Sequence, residues 1–345
     1  MRAALDPLPG ALPGPEVRFA YRERGPRLAR VQLAHDVPGL PHRLTRRGDT
    51  WELVAPQPEV DRLEYQFELI DRTGRSERIV DPENPLRASG PWGDKSVREL
   101  PGYEAPAWLD AKPLGAAESV VLQSRILRTE LPALLWAHPD AGKHSPLLVA
   151  HDGPEYAEYS SLLTLLGQLP PVRAVLIAPV DRDETYSASA RYARALAEEL
   201  LPSFGADPLE SGPLRIGPLR IGMGASLGAL ALLHAHRRYP HAFDALFLQS
   251  GSFFRRRDRH EARFPRFDRI GRFVGSVLAG RAERPIPVTI ACGTIEDNLS
   301  ANEAMHEALL RQGYDARFHG FRDGHNWVAW RDSFHPHLLR LLERA

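Results

Sequence analysis

The first third of the chain alternates apolar and polar residues in short runs. Clear examples lie at 17–21, 29–33 and 63–69, each bounded by turn-forming residues. An alternation of period two predicts antiparallel strands that bury one face. Several such strands in succession are typical of a small sandwich. We therefore predict an all-β N-terminal domain that, with its proline-rich exit, covers residues 1–112.

Longer apolar runs begin after residue 112. They predict buried strands at 120–127, 134–137, 147–150, 174–178, 219–221, 245–249, 288–291 and 316–321. Runs with helical spacing predict helices at 159–167, 188–201, 227–239, 301–312 and 334–343. Alternation of strands and helices indicates an α/β domain with a doubly wound, mostly parallel sheet over 113–345, whose ligand site lies beyond the carboxyl ends of the strands.

The pentapeptide GASLG at 224–228 links a predicted strand to a predicted helix. A serine on such a tight turn is exposed to a base on one side and to backbone N–H groups on the other. Gly224 and Gly228 remove Cβ atoms that would clash in the turn. The pattern indicates Ser226 as a nucleophile, and a serine-capped glycine turn is the alternative. The preceding GPLRI occurs twice, at 212–216 and 217–221, and one copy suffices for the strand.

An acid and a histidine follow in the chain order of the α/β-hydrolases. Glu296 and Asp297 come directly after the predicted strand at 288–291, and His325 lies in a glycine-flanked loop after the strand at 316–321. We expect Ser226 to attack an ester carbonyl and His325 to take and return the proton. One carboxylate would orient the imidazole. Both Glu296 and Asp297 are open for that role.

Four further motifs are DGHNW at 323–327, QSGSF at 249–253, HDGPEY at 151–156, and the turn at 292–293 with its downstream asparagines. Together they resemble the esterase D-like hydrolases, and among them the enterochelin (ferric-siderophore) esterase-like branch. The resemblance implies an α/β-hydrolase domain preceded by an immunoglobulin-like, early-set sandwich. It also favours Glu296, three residues after Gly293, over Asp297 as the acid.

An oxyanion hole needs two N–H donors near the reacting carbonyl. One should be the backbone N–H of Leu227, the residue after the nucleophile. The resemblance places the other in the loop after the strand at 147–150, where Pro154 has no N–H. Gly153 is therefore the predicted second donor, with Glu155 or a displaced loop as alternatives.

Three consecutive arginines, Arg255, Arg256 and Arg257, come just after Phe253 near a predicted strand end. Together with Phe253 and Trp327 they would suit an aromatic trianion such as a ferric catecholate, because guanidinium groups pair well with anionic oxygens. A solvated charged face is the alternative.

The composition limits the kinds of partner and the location expected for this protein. The 345 residues carry 44 basic and 44 acidic side chains, and this zero net charge favours neither nucleic acid nor an anionic membrane. The single cysteine, Cys292, cannot form an intrachain disulfide. No secretory leader and no bilayer-spanning apolar run is evident, which predicts a cytoplasmic location.

The predicted function is hydrolysis of a siderophore-type ester by a serine esterase. The expected partner is a small-molecule ester, and no cofactor and no resident metal is expected. A carbohydrate, feruloyl or acetyl ester hydrolase is the alternative enzyme, and a catalytically silent binding protein is the alternative of another class. The sequence leaves open the oligomeric state and whether the first domain binds, covers or only packs.

Overall fold

The structure is a computed structural model that describes residues 15–25, 27–205, 218–258 and 261–343. It splits into two compact units, Met1–Tyr103 and Glu104–Ala345. The boundary predicted at 112 falls in the connection that follows the first unit. The repeat copy at 212–216, predicted to be dispensable for the strand, lies outside the described residues.

The first unit contains antiparallel strands in its described part. A three-stranded sheet has the order β1-β4-β3, and a second sheet has the order β2-β5-β8-β7 with β6 also paired to β5. The strands are β1 (Glu16–Arg22), β2 (Arg30–Ala34), β3 (Thr45–Arg47), β4 (Thr50–Pro56), β5 (Arg62–Ile70), β6 (Ser76–Ile79), β7 (Arg87–Ala88) and β8 (Lys95–Glu99).

Aromatic side chains join these two sheets. The ring centroids of Phe19 in β1 and Tyr65 in β5 lie 4.9 Å apart, edge to face, and those of Tyr21 and Phe67 lie 5.4 Å apart. All four residues are buried. They occupy alternate positions of their strands, so the period-two pattern of the sequence directs them to one shared core.

The second unit is built on an eight-stranded sheet of order β16-β15-β14-β13-β11-β12-β10-β9. Neighbouring strands from β16 to β12 in this order pair in parallel, whereas β10 is antiparallel to both β12 and β9. The strands are β9 (Glu118–Ser124), β10 (Thr129–Ala137), β11 (Leu147–His151), β12 (Arg173–Ile177), β13 (Arg220–Ala225), β14 (Ala245–Gln249), β15 (Val288–Gly293) and β16 (Ala316–Phe321). The predicted mostly parallel sheet is confirmed.

Ten α-helices lie in the described part of this unit. They are α1 (Gly153–Tyr159), α2 (Leu162–Leu166), α3 (Arg182–Tyr186), α4 (Ala190–Ala195), α5 (Leu201–Ser203), α6 (Leu227–Arg238), α7 (Phe267–Ala279), α8 (Leu299–Arg311), α9 (Trp327–Asp332) and α10 (His337–Leu342). A π-helical turn, Leu196–Leu200, joins α4 to α5, and a 3₁₀ turn, Ala107–Asp110, precedes β9. The sequence prediction missed α7, although its buried residues Phe267, Ile270, Val274 and Val277 have helical spacing.

Both faces of the sheet are buried. Along β11, Leu147 and Val149 belong to one hydrophobic cluster, whereas Leu148 and Ala150 belong to the other. This division explains why the parallel strands have continuous apolar sequences instead of alternating ones. Within the described ranges, no helix has the length and apolar character needed to cross a membrane.

Candidate active site

Ser226 lies on the turn between β13 and α6. Its backbone has φ +55° and ψ −119°, a conformation that costs a non-glycine residue energy and that clusters at functional sites. A Cβ on Gly224 would lie 2.9 Å from the carbonyl carbon of Gly228, so the turn closes only with glycine at 224. The role predicted for Gly224 is confirmed, whereas a Cβ on Gly228 would contact His151 outside the turn.

A buried carboxylate accompanies His325. The Glu296 side chain is 3% exposed, and its Oε2 lies 2.6 Å from His325 Nδ1. Its Oε1 accepts hydrogen bonds from Ser250 Oγ at 2.7 Å and from the Gly293 N–H at 2.8 Å. With Nδ1 donating to Glu296, the Nε2 of His325 is left able to accept a proton.

The structure also distinguishes the two candidate acids. Asp297 is exposed, and the carboxylate hydrogen-bonded to the imidazole belongs to Glu296. The His325 side chain is 42% exposed, and its ring stands edge to face on Trp330 with centroids 4.9 Å apart. Glu296 and Trp330 thus hold the imidazole of His325 in place, and part of the ring stays accessible to solvent.

A loop of residues 250–252 contacts both Glu296 and Ser226. Ser250, at φ +48°, donates its hydroxyl to Glu296 and accepts a hydrogen bond from Trp330 Nε1 at 2.9 Å. Ser252 Oγ lies 3.1 Å from Ser226 Oγ, and the Ser252 N–H donates to the Ser226 carbonyl at 3.1 Å. This 250–252 loop therefore fixes the position of both groups.

The middle of the 250–252 loop is clamped by Asn302 on α8. Its Oδ1 accepts from the Gly251 N–H at 2.8 Å, and its Nδ2 donates to the Gly251 carbonyl at 3.0 Å. In the sequence, QSGSF at 249–253 and the asparagines after Gly293, one of which is Asn302, indicate the resemblance but predict no role for these residues. The sequence feature that could have predicted this role is the Ser-Gly-Ser turn at the carboxyl end of β14, which lies next to β13, the strand that leads to Ser226.

Ser226 and His325 are not hydrogen-bonded to each other in the described structure. The hydroxyl of Ser226 pairs with Ser252, and the imidazole of His325 pairs with Glu296. Catalytic hydrogen bonds of unliganded enzymes are often long and tighten when the substrate binds. The missing hydrogen bond therefore does not argue against the predicted pairing of Ser226 with His325.

Leu227 and Gly153, the predicted oxyanion donors, are the first residues of α6 and α1. Backbone N–H groups in a first helical turn have no partner within the helix and can donate to an anion. A Cβ on Gly153 would lie 2.3 Å from Leu176 Cα, so only glycine fits there. A Cβ on Gly228 would lie 3.1 Å from His151 Cβ, which shows how closely the start of α6 packs against the end of β11.

Pro154 follows Gly153 within the first turn of α1, where its missing N–H breaks no helical hydrogen bond. The Glu155 N–H interacts with its own carboxylate, whose pKa is raised mainly by burial. Gly153 has no side chain and therefore no such competing acceptor of its own.

Buried polar groups hold the loop before α1. Arg182 donates to both carboxylate oxygens of Asp152, at 3.0 Å from Nε to Oδ1 and 2.8 Å from Nη2 to Oδ2. The neighbouring His151 contacts Tyr192 Oη at 2.8 Å and the Gly228 carbonyl at 3.1 Å. Burial lowers the pKa of His151 to about 4, so this histidine is neutral near pH 7 and serves to anchor the loop.

The predicted substrate-binding residues are only partly open. Arg255 lies 3.6 Å from Asp258, Arg256 lies 3.4 Å from Asp268, and Arg257 is exposed. Trp327 is half-buried and stacks edge to face on Trp330.

Phe253 does not lie where a substrate-binding residue was predicted. Its side chain is 1% exposed and lies in the hydrophobic core, not on an open wall of the site. The reason is the tight 250–252 loop, because the ring folds back against Gly251 and a Cβ there would lie 2.3 Å from it. Substrate contact through this ring has no geometric support.

Residues 136–341 match the model of the family described as "Putative esterase". Because this match covers more than half of the chain, the chain belongs to this family. The family defines the class of protein, the carboxylic ester hydrolases.

Two individual relatives show more specifically which esterases this chain resembles. The iron(III) enterobactin esterase of Dickeya dadantii (strain 3937) is 27% identical over 278 residues, which cover 72% of this chain and 62% of that protein. The chain thus spans less than two thirds of that relative. The protein of the same name from Escherichia coli O6:H1 is 26% identical over 313 residues. These residues cover 86% of this chain and 74% of that protein.

A solved enterobactin esterase from Shigella flexneri shares the fold. Its TM-score is 0.76 at 22% sequence identity, with 95% of this chain and 93% of that chain covered. The resemblance that the motifs indicated is confirmed by these comparisons, as is the α/β-hydrolase fold.

Proposed function

We propose that this protein is a serine esterase that uses Ser226 as nucleophile, His325 as base and Glu296 as the orienting acid. The observation that carries the proposal is the 2.6 Å hydrogen bond between His325 Nδ1 and the buried Glu296. This hydrogen bond lies at the same edge of the sheet as Ser226, whose backbone is strained. A scaffold without catalytic activity would have no need of this combination.

In the proposed reaction Ser226 Oγ attacks the ester carbonyl as its proton passes to His325 Nε2. Glu296 holds the imidazole in the required tautomer and stabilises its charged form. The N–H groups of Leu227 and Gly153 would stabilise the negative oxygen of the tetrahedral intermediate. His325 then returns the proton to the leaving alcohol, and water repeats the sequence on the acyl-enzyme.

For the substrate we propose a siderophore-type ester, such as a tricatecholate lactone. Support comes from the relatives named iron(III) enterobactin esterases. Three cationic or aromatic groups lie beside the proposed site or on the predicted substrate run: Arg257, Trp327 and Arg182, whose side chain is 38% exposed while it pairs with Asp152. The proposal keeps the early-set assignment of the first unit and the cytoplasmic location predicted from the sequence.

The test is a hydrolysis panel with ferric and iron-free tricatecholate lactones, p-nitrophenyl butyrate and a feruloylated sugar. We expect turnover of the tricatecholates to exceed that of the feruloyl ester. A serine-directed organophosphonate should label Ser226, and Ser226→Ala should lose both labelling and turnover while keeping its thermal midpoint.

Ser300→Ala is a matched control, because it removes an exposed hydroxyl on α8 and should change none of these readouts. Full activity in Ser226→Ala would refute the mechanism. Labelling of Ser226 with preferred turnover of the feruloyl ester would keep the mechanism and replace the substrate class.

A further inference from the structure

A cavity of about 530 Å³ in the second unit is lined mainly by arginines. They come from three separate places in the chain: the turn between β9 and β10, helix α4, and the last turn of α6. The arginines are Arg125, Arg128, Arg191, Arg194 and Arg238, and Tyr239 adds an aromatic wall.

The turn that presents Arg125 and Arg128 is fixed in place. The Glu199 carboxylate accepts hydrogen bonds from the Ile126 N–H at 3.1 Å and from Ser124 Oγ at 2.5 Å. Arg191 Nε donates to the Ile126 carbonyl at 2.6 Å. Because both the N–H and the carbonyl of Ile126 are held, the backbone positions of the two arginines are set before any ligand arrives.

Most of the positive charge in this cavity is not neutralised. Arg194 pairs with Glu198 at 2.8 Å. Within the described ranges, the other four guanidinium groups have no carboxylate within 4.0 Å, and all four are exposed. Glu199, the other nearby carboxylate, is already engaged by the turn. An anion that enters this cavity would therefore meet guanidinium groups with which no carboxylate of the described residues competes.

We propose that this arginine cavity binds a small polyanion with phosphate-type oxygens. A guanidinium group presents a planar fork of N–H donors that matches two such oxygens at once. A cavity of this volume is in the range of small-ligand sites. Because four of its guanidinium groups have no carboxylate partner among the described residues, we expect the ligand to carry several anionic groups.

The cavity is distinct from the proposed active site. Arg238 is the last residue of the 12-residue helix α6, whose first residue follows Ser226. At the rise of an α-helix the two ends are about 18 Å apart. The inference does not depend on the esterase proposal, since it rests on residues that the catalytic cycle does not use.

The experiment is calorimetric titration of the full chain with tripolyphosphate, ATP and citrate near physiological ionic strength. We expect one site per chain for tripolyphosphate, with affinity that falls as salt is added. ATP binding as tightly would indicate that Tyr239 and the cavity accept a nucleoside, and citrate binding as tightly would extend the class to polycarboxylates. Either result supports a polyanion site.

Two double variants distinguish binding in the arginine cavity from a general effect of the protein's charge. Arg125→Gln/Arg128→Gln should weaken tripolyphosphate binding about tenfold or more, since charge-assisted hydrogen bonds are lost. Arg43→Gln/Arg72→Gln removes the same two charges from exposed positions of the first unit and should leave binding unchanged. Arg238→Gln, on another element, should also weaken binding. Equal losses in both double variants, several weak sites, or no binding at millimolar tripolyphosphate would overturn the proposal.

Discussion

Two segments only a few residues apart in the chain, the 250–252 loop and the arginine run at 255–257, are built in opposite ways. The 250–252 loop is buried and has partners 26 to 80 residues away along the chain, among them Ser226, Trp330 and Glu296. The arginine run is largely exposed, and its carboxylate partners are Asp258 and Asp268, close by in sequence.

The difference concerns how much of the geometry is fixed before a substrate arrives. A buried group with several long-range hydrogen bonds is held in one position, and an active site depends on such positioning. Exposed ion pairs contribute little energy and rearrange readily. The 250–252 loop is therefore suited to hold reacting groups, whereas the arginine run is suited at most to attract an anion.

The largest expected effect concerns the acid that this loop supports. Glu296→Gln should lower kcat by about three to four powers of ten with little change in KM, because the amide favours the wrong imidazole tautomer. Asp297→Asn, an exposed control one residue away, should change kcat less than about threefold. Steady-state kinetics with p-nitrophenyl butyrate measures both. If the ranking were reversed, Asp297 would be the acid, and two mild effects would mean a Ser-His dyad.

The next effect is on stability. Asn302→Ala should lower the free energy of unfolding by about 2 to 4 kcal/mol, because the Gly251 N–H and carbonyl would lose buried partners. Denaturant unfolding measures the change. Ser300→Ala, on the exposed side of the same helix, should stay within about 0.5 kcal/mol. An Asn302→Ala variant as stable as the control would show that the clamp is not needed.

A smaller effect should follow from the hydrogen bond between the two serines. Ser252→Ala should slow organophosphonate labelling of Ser226 by about tenfold, since one hydrogen bond that positions Oγ is lost. Ser252→Thr keeps the hydroxyl and should retain more of the rate. Faster labelling in Ser252→Ala would mean instead that Ser252 restrains the nucleophile in a resting position.

The smallest effect is expected in the arginine run. Arg256→Gln/Arg257→Gln should leave turnover of neutral p-nitrophenyl butyrate within about twofold, because attack by Ser226 needs no cation there. If the run meets a trianionic chelate, the KM for the ferric tricatecholate should rise, and the rise should shrink at high salt. Equal losses on both substrates would contradict the division between the two segments.

Much of the fold and part of the site follow from local sequence patterns. The alternation around Tyr65, the apolar runs of the parallel strands and the GASLG turn each depend on residues near one another in the chain. Helix α7 was readable in the same way but was missed, because two glycines, Gly271 and Gly275, weaken the helical signal of its sequence.

The sequence by itself determined the two kinds of domain, the parallel sheet, the serine elbow and the order in which an acid and a histidine follow it. The residues alone left Glu296 and Asp297 open, and only the resemblance favoured Glu296. Adjacent residues of a turn point in different directions, and the packing of the 250–252 loop decides which one meets His325. The burial of Phe253 and the assembly of five arginines around one cavity were likewise decided by tertiary structure. The physical reason is that turns and periodicity act over a few residues, whereas these contacts join residues that only the completed fold brings together.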